Sequence, residues 1–279
     1  MCKFTLTVLE GTRALLATHQ RELPQRDDLC GAFCTALALH AAGLQRGSGG
    51  ELDQDAVALA AGSLVSAAGD TASLPAGETG RRDYRLTLPQ IEDATRSGTT
   101  PAGLARAIDD LSGGSLTAVP LSGPWSAQTL AAAFEAAAAL RRPVTLVANI
   151  ATRHLWGTRA SAEQLLAYLL EGDLDGPDPD WDVGHFVCVV GRVEGPAGSL
   201  YVVADTYPSL GNGGVYAQPA ERLALALARP PAQPGASPEG GIIVVADARD
   251  AEALRAGARA AGLREALWDN GTLTAPLAA

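Results

Sequence analysis

Leu23-Pro24-Gln25-Arg26-Asp27-Asp28-Leu29-Cys30-Gly31-Ala32-Phe33-Cys34-Thr35-Ala36-Leu37-Ala38-Leu39 changes character at Cys30. Upstream lies a polar, charged loop. Downstream, small and apolar helix formers continue without a charge, as a helix buried on most sides requires. The pattern predicts a helix from Cys30 to Ala42, stopped at Gly43. Cys30 then sits at the helix N-terminus, where the first N–H groups lack intrahelical partners and the macrodipole presents partial positive charge. That setting favours a thiolate over a thiol. Cys34, one turn into the apolar run, reads as a core residue. Gln25, five positions before Cys30, is a candidate amide donor to a reacting carbonyl, and Gln20 competes for that part at a longer gap.

Outward from this stretch, 279 residues allow one large domain. The expectation is a single α+β unit with a helical half over about residues 1–142 and a sheet-rich half over about 143–279. The 21 basic and 31 acidic residues leave a formal charge of −10, which opposes binding to nucleic acid phosphates. No run approaches the roughly 18 apolar residues of a membrane span, and Met1 to Leu9 lacks a signal-peptide pattern. Cys2, Cys30, Cys34 and Cys188 do not have disulfide-framework spacing. A cytoplasmic protein with reduced thiols is the expectation. No residues have metal-site spacing, and Gly211-Asn212-Gly213-Gly214 lacks the Lys-Ser/Thr of a phosphate loop, so neither metal nor cofactor is expected. The sequence specifies no oligomeric state.

Helices are expected over Gly11–Arg21, Asp53–Val65 with Asp53 as N-cap, Pro101–Leu111 behind Thr100, and Ser126–Arg142. Ser161 and Gln164 form a capping box for a helix ending near Leu170. Ala67 to Arg85 reads as a loop that either covers the site or stands clear of it. Ser115–Leu121 and the β-branched run Val144–Ile150 read as strands. Beyond residue 183, strands are expected over Gly184–Gly191, Leu200–Asp205, Gly213–Gln218 and Gly241–Ala246, with helices over Pro219–Arg229 and Arg249–Gly262. If the first two of these strands pair as a hairpin, His185 and Asp205 face each other at its far end.

Nucleophilic catalysis by cysteine needs a thiolate, an imidazole, a group that orients the imidazole and donors for the oxyanion. Cys30, His185, Asp205 and Gln25 supply these parts in the order Cys, His, Asp. His154, after the Val144–Ile150 strand, is a rival base, whereas His19 and His40 fall on predicted helices. Cys188, at an odd offset from His185 on a strand, points to the core.

Gln25…Cys30-Gly31, Gly184-His185-Phe186-Val187-Cys188-Val189-Val190-Gly191 and Val203-Ala204-Asp205-Thr206-Tyr207-Pro208 resemble bacterial papain-like cysteine peptidases, nearest to the bacteriocin-processing, double-glycine leader peptidases. The resemblance spans residues 25–208 and departs in two places. The gap from Gln25 to Cys30 is one residue shorter than usual, and Ala32-Phe33 stands where the relatives commonly have a proline. It implies a papain-like fold in which Cys30 attacks a peptide carbonyl, His185 moves the proton, Asp205 holds the imidazole and Gln25 stabilises the oxyanion. The implied substrate is a peptide or small protein, such as a peptide natural-product precursor. Trp156, Trp181 and Tyr207 are the candidate substrate wall because each lies near a predicted site loop. Three other readings stay open: an acyl transferase or cyclase using the same site, a non-catalytic peptide-binding relative, and a thiol redox sensor using Cys30 and Cys34.

Overall fold

The run Val144–Ala151 is buried at every position, and its place near the centre of one sheet explains why it does not alternate with polar residues. The computed structural model describes residues 3–47, 50–69, 74–229 and 240–275. Eight strands form the sheet: β1 (Thr5–Val8), β2 (Leu116–Ser122), β3 (Val144–Ala151), β4 (Gly184–Glu194), β5 (Ser199–Ala204), β6 (Val215–Pro219), β7 (Gly241–Asp247) and β8 (Arg264–Glu265). Their order is β6-β5-β4-β3-β7-β2-β8, and every pairing is antiparallel. The eleven-residue β4 outruns β3, so β1 fills the vacant edge, with Thr5 opposite Glu194 and Val8 opposite Gly191.

Eight helices accompany the sheet: α1 (Thr12–Glu22), α2 (Cys30–Ala41), α3 (Gln54–Ala61), α4 (Pro101–Ser112), α5 (Ala127–Ala138), α6 (Ala162–Glu171), α7 (Ala220–Ala228) and α8 (Ala251–Ala260). Because successive strand residues point to opposite faces, β3 and β4 serve two cores at once. Leu146, Ala148, Ile150, Val187 and Val189 pack with α5, α7 and α8, while Val147, Phe186, Cys188 and Val190 pack with α1 to α4. Each large apolar side chain sealed this way contributes on the order of 1.5–3 kcal/mol. The architecture is therefore α+β with helices on both faces. Helices α1 to α5 precede residue 143 and strands β3 to β8 follow it, while β1 and β2 join the sheet from the first half and α6 to α8 come from the second.

Local signals explain most boundaries. Thr100 accepts from the Gly103 N–H ahead of Pro101, and Ser161 with Gln164 makes the reciprocal capping box. Asp53 caps α3, but Gly62 at φ 67 ends that helix before Val65. α5 stops at Ala138, short of Arg142, as Leu140 turns into the core. No helix among the described residues is long and apolar enough to cross a membrane. Residues 70–73 of the expected 67–85 loop, residues 230–239 and Cys2 lie outside the described residues.

Candidate active site

Every residue of α2 except Cys30 and His40 is buried. Cys30 begins the helix, and no side chain caps that N-terminus, so the helix start is left to stabilise negative charge on or near the thiol. Gly31 sets how closely this turn approaches the sheet. A Cβ there would lie 3.1 Å from the Phe186 ring and 3.2 Å from Leu104, so only glycine lets the first turn of α2 rest on β4 without displacing either side chain.

β4 begins at Gly184-His185, and Asp205 follows the last residue of β5. The register pairs Cys188 with Ala204, which brings both functional groups to the same end of the hairpin. His185 Nε2 lies 2.9 Å from Asp205 Oδ1, and the two side chains are almost fully buried. The Tyr216 hydroxyl donates to Asp205 Oδ2 at 2.6 Å, and the Thr206 N–H donates to Oδ1 at 2.6 Å. Cys30 and His185 line the same cleft, and the thiol acts electrostatically on the imidazole. Burial alone would lower the pKa of His185. The Asp205 charge and hydrogen bond, followed by those of Cys30, overcome it and push the imidazole up to about 10. Burial pushes Asp205 the other way, yet His185, Tyr216 and Thr206 hold its carboxyl below the usual range. The pair is thus built to be imidazolium and carboxylate at neutral pH.

His19, on α1, adds a support that the sequence did not reveal. Its Nε2 donates to the Asp205 carbonyl at 2.5 Å, its ring meets Phe33 edge-on at 6.2 Å, and burial pulls its pKa down. The neutral ring fixes the backbone at Asp205.

These groups open onto a cleft of about 430 Å³, whose walls include Gln25, Cys30, Asn149, Trp181, His185 and Tyr207. Trp181 meets His185 edge-on at 5.0 Å, and Tyr207 stacks on it at 6.4 Å with an interplanar angle of 19°. Gln25 is 5% exposed, its N–H donates to the Thr206 carbonyl at 3.0 Å, and its Oε1 has no protein partner. The Gln25 backbone is therefore anchored beside the acid, and the residue is part of the cleft lining.

The loop leading to Cys30 is tied down by the following chain. Asp27 N–H donates to the Arg81 carbonyl at 2.9 Å, Arg81 N–H returns to Asp27 Oδ1 at 2.8 Å, and the Arg81 guanidinium reaches the Pro24 carbonyl at 2.6 Å. Asp28, at φ 65, accepts from the Ser66 N–H and the Ser97 hydroxyl, both at 2.7 Å. Residues 74–85 thus brace the nucleophile loop, and Leu74 reaches the cleft wall.

Several expected residues lie elsewhere. Trp156 is not a cleft wall. Gln218 takes its backbone N–H at 2.8 Å, Leu174 takes its indole at 3.2 Å, and it packs against Tyr168 in a separate cluster. Proximity in sequence to a strand end misled here, because the chain turns away after Thr152–His154. His154 is half-buried and lies outside the cleft lining, and Gln20 is exposed on α1. His40 bonds the Leu52 carbonyl at 2.7 Å. Cys34 turns its thiol to the Phe186 carbonyl at 3.4 Å and to Cys188, fully buried and away from Cys30's opening. Sequence reading also missed Asn149, Tyr216 and Arg229. Of these, Asn149 carried a legible sign, as the one amide in a mostly apolar, buried strand.

Among the described residues, no three His, Cys, Asp or Glu side chains gather to hold a metal ion. No curated protein matches the chain. One family model matches residues 9–269 and so takes in Gln25, Cys30, His185 and Asp205 together. The chain belongs to that family, a family of unknown function, DUF6885.

Proposed function

We propose that this protein is a papain-like cysteine hydrolase that cleaves an amide bond of a peptide through an acyl-enzyme. The observation that carries the reading is the buried His185–Asp205 pair, 2.9 Å apart, in one cleft with Cys30 at the uncapped start of α2. His185 already holds the proton as imidazolium, and the Cys30 thiolate beside it attacks the carbonyl carbon. The oxyanion forms beside the Cys30 N–H and the Gln25 amide. The C–N bond breaks as His185 returns its proton to the leaving nitrogen. Water then adds to the thioester and gives a proton to His185, so that the imidazolium and the thiolate are restored as the carboxylic acid departs. Trp181 and Tyr207 enclose the imidazole and exclude water from the proton path.

The test is the pH dependence of iodoacetamide labelling at Cys30, located by peptide mass, in the wild type and in His185→Ala. Fast alkylation well below pH 8.5 that reverts to an ordinary thiol profile in the variant is expected. A Cys30 that is inert, or indifferent to His185, sinks the enzyme reading and assigns the cleft to binding.

A further inference from the structure

Among the described residues the sheet has three outer strands, β6, β8 and β1, and they are not alike. β8 is only Arg264–Glu265, both exposed, and β6 ends on Pro219. Charge, proline and shortness are the means by which a sheet edge is kept from pairing with another chain. β1 has only the last of these. From Phe4 to Leu9 the run Phe-Thr-Leu-Thr-Val-Leu carries neither a charge nor a proline, and its aromatic and β-branched residues favour an extended chain.

β4 satisfies the inner edge of β1. The Leu9 N–H donates to the Val190 carbonyl at 3.1 Å, and Thr5 to Val8 lie opposite Glu194 to Gly191. Backbone groups along an antiparallel strand point alternately to one side and the other. Leu9, Thr7 and Thr5 therefore turn theirs to β4, while Val8, Leu6 and Phe4 turn theirs outward. The residues with outward backbone groups also carry exposed apolar side chains. Leu6 is 66% exposed, Val8 56%, and Phe4, one residue before the strand, 42%. At a spacing of two they form one row on one face.

We propose that β1 pairs antiparallel with β1 of a second copy of this chain, about a two-fold axis through Leu6. An axis normal to the sheet keeps every side chain on its own face, so it can pair only residues that already share a face. With Leu6 opposite Leu6 of the second copy, Phe4 falls opposite Val8 and Val8 opposite Phe4. All three exposed apolar side chains then meet across the axis, and the outward N–H and C=O groups of the same three residues meet in the same register. Lys3 and Glu10, both exposed, flank the run with opposite signs, and antiparallel pairing brings each to the end where the other stands. A foreign strand would have to supply this match, whereas a second copy has it by symmetry. His185 is six residues before Gly191, the nearest β4 residue paired with β1, or about 20 Å along the strand. The pairing therefore leaves the cleft open and stands apart from the hydrolase reading.

Sedimentation velocity from about 1 to 200 µM should show a monomer–dimer equilibrium with a dissociation constant on the order of 10 µM, as suits a short pairing. Leu6→Lys and Leu6→Glu each place like charges face to face on the axis and should weaken the dimer at least about tenfold. Leu6 is exposed, so both variants should keep the far-UV spectrum of the wild type and the alkylation rate of Cys30. Mixed in equal amounts, the two variants oppose a cation to an anion and should dimerise to within about threefold of the wild type. In the wild type, amide exchange at Leu6 should slow as concentration rises. A wild type that stays monomeric throughout overturns the proposal and leaves the edge to a different chain. A dimer that persists in both variants belongs to another surface and overturns it as well. Variants that stay monomeric when mixed overturn the axis through Leu6.

Discussion

Cys30 and Cys34 stand one turn apart on the same helix, and the protein treats them as different chemical groups. Cys30 is half-buried, shares the cleft with an imidazole and stands at an uncapped helix start. Cys34 is sealed in the core against Cys188 and the Phe186 carbonyl, and burial drives its pKa well up. The difference teaches that position along α2 sets the surroundings of each thiol, because the residue type is constant. It also weighs against redox pairing of Cys30 with Cys34, since the neighbour that Cys34 faces is Cys188.

The sharpest way to break the comparison is to remove each thiol in turn. Cys30→Ala should lower turnover by about 10⁴-fold or more, the scale of losing a covalent nucleophile. Cys34→Ala should leave kcat/KM and Cys30 alkylation almost unchanged and reduce stability by about 1 kcal/mol. An equal loss of activity in both variants would erase the distinction. Next in size is Asp205→Asn, expected to lower kcat by about 10²–10⁴-fold by disturbing the imidazole tautomer. It should also lower Tm, because Tyr216 and Thr206 lose an ionised acceptor. Gly31→Ala presses a methyl into Phe186 and Leu104. A loss of about 1–3 kcal/mol in denaturant unfolding, with Cys30 alkylation slowed about tenfold as the thiol shifts from the imidazole, would tie the reactivity of Cys30 to helix–sheet spacing.

The smallest effect is a pH signature. The folded pKa of His185 is raised from 6.5 to about 10, so the stabilisation it supplies is fully present below pH 6.5 and is lost as pH rises through about 10. Asp205 is shifted down, so its contribution is present above the ordinary carboxylate range and fades on acidification. Thermal melts of the wild type should therefore fall away on the alkaline side between these limits, and His185→Ala should flatten that limb. Hydrolysis should lose its general acid over the same alkaline interval. An alkaline limb that persists unchanged in His185→Ala would show that another group governs it.

Much of this was legible because it is local. The apolar run after Cys30, the Thr100-Pro101 and Ser161-Gln164 caps and the hairpin carrying His185 and Asp205 each declare themselves within about ten residues. What escaped depends on contacts distant in sequence. β1 exposes Leu6 and Val8 and is a strand only because β4 outruns β3. Trp156 lay close in sequence to a strand end, but Gln218 and Leu174 hold it elsewhere. Arg229 read as the tail of a helix, since neither its left-handed backbone nor the space left by Gly184 leaves a periodic mark. The two-core sheet was hidden for a related reason: the partners of alternate β3 and β4 residues come from both ends of the chain.

That long reach has a consequence for how the protein comes into being. The adjoining residues Cys34 and Phe186 are 152 positions apart, and the imidazole precedes Phe186 by one. At a ribosomal pace of about 5–20 residues per second, the segment bearing Cys30 emerges many seconds before His185 has been translated. In the proposed hydrolase, synthesis itself then acts as a timer: Cys30 has no base with which to attack a neighbour's peptide bonds until the hairpin has been made.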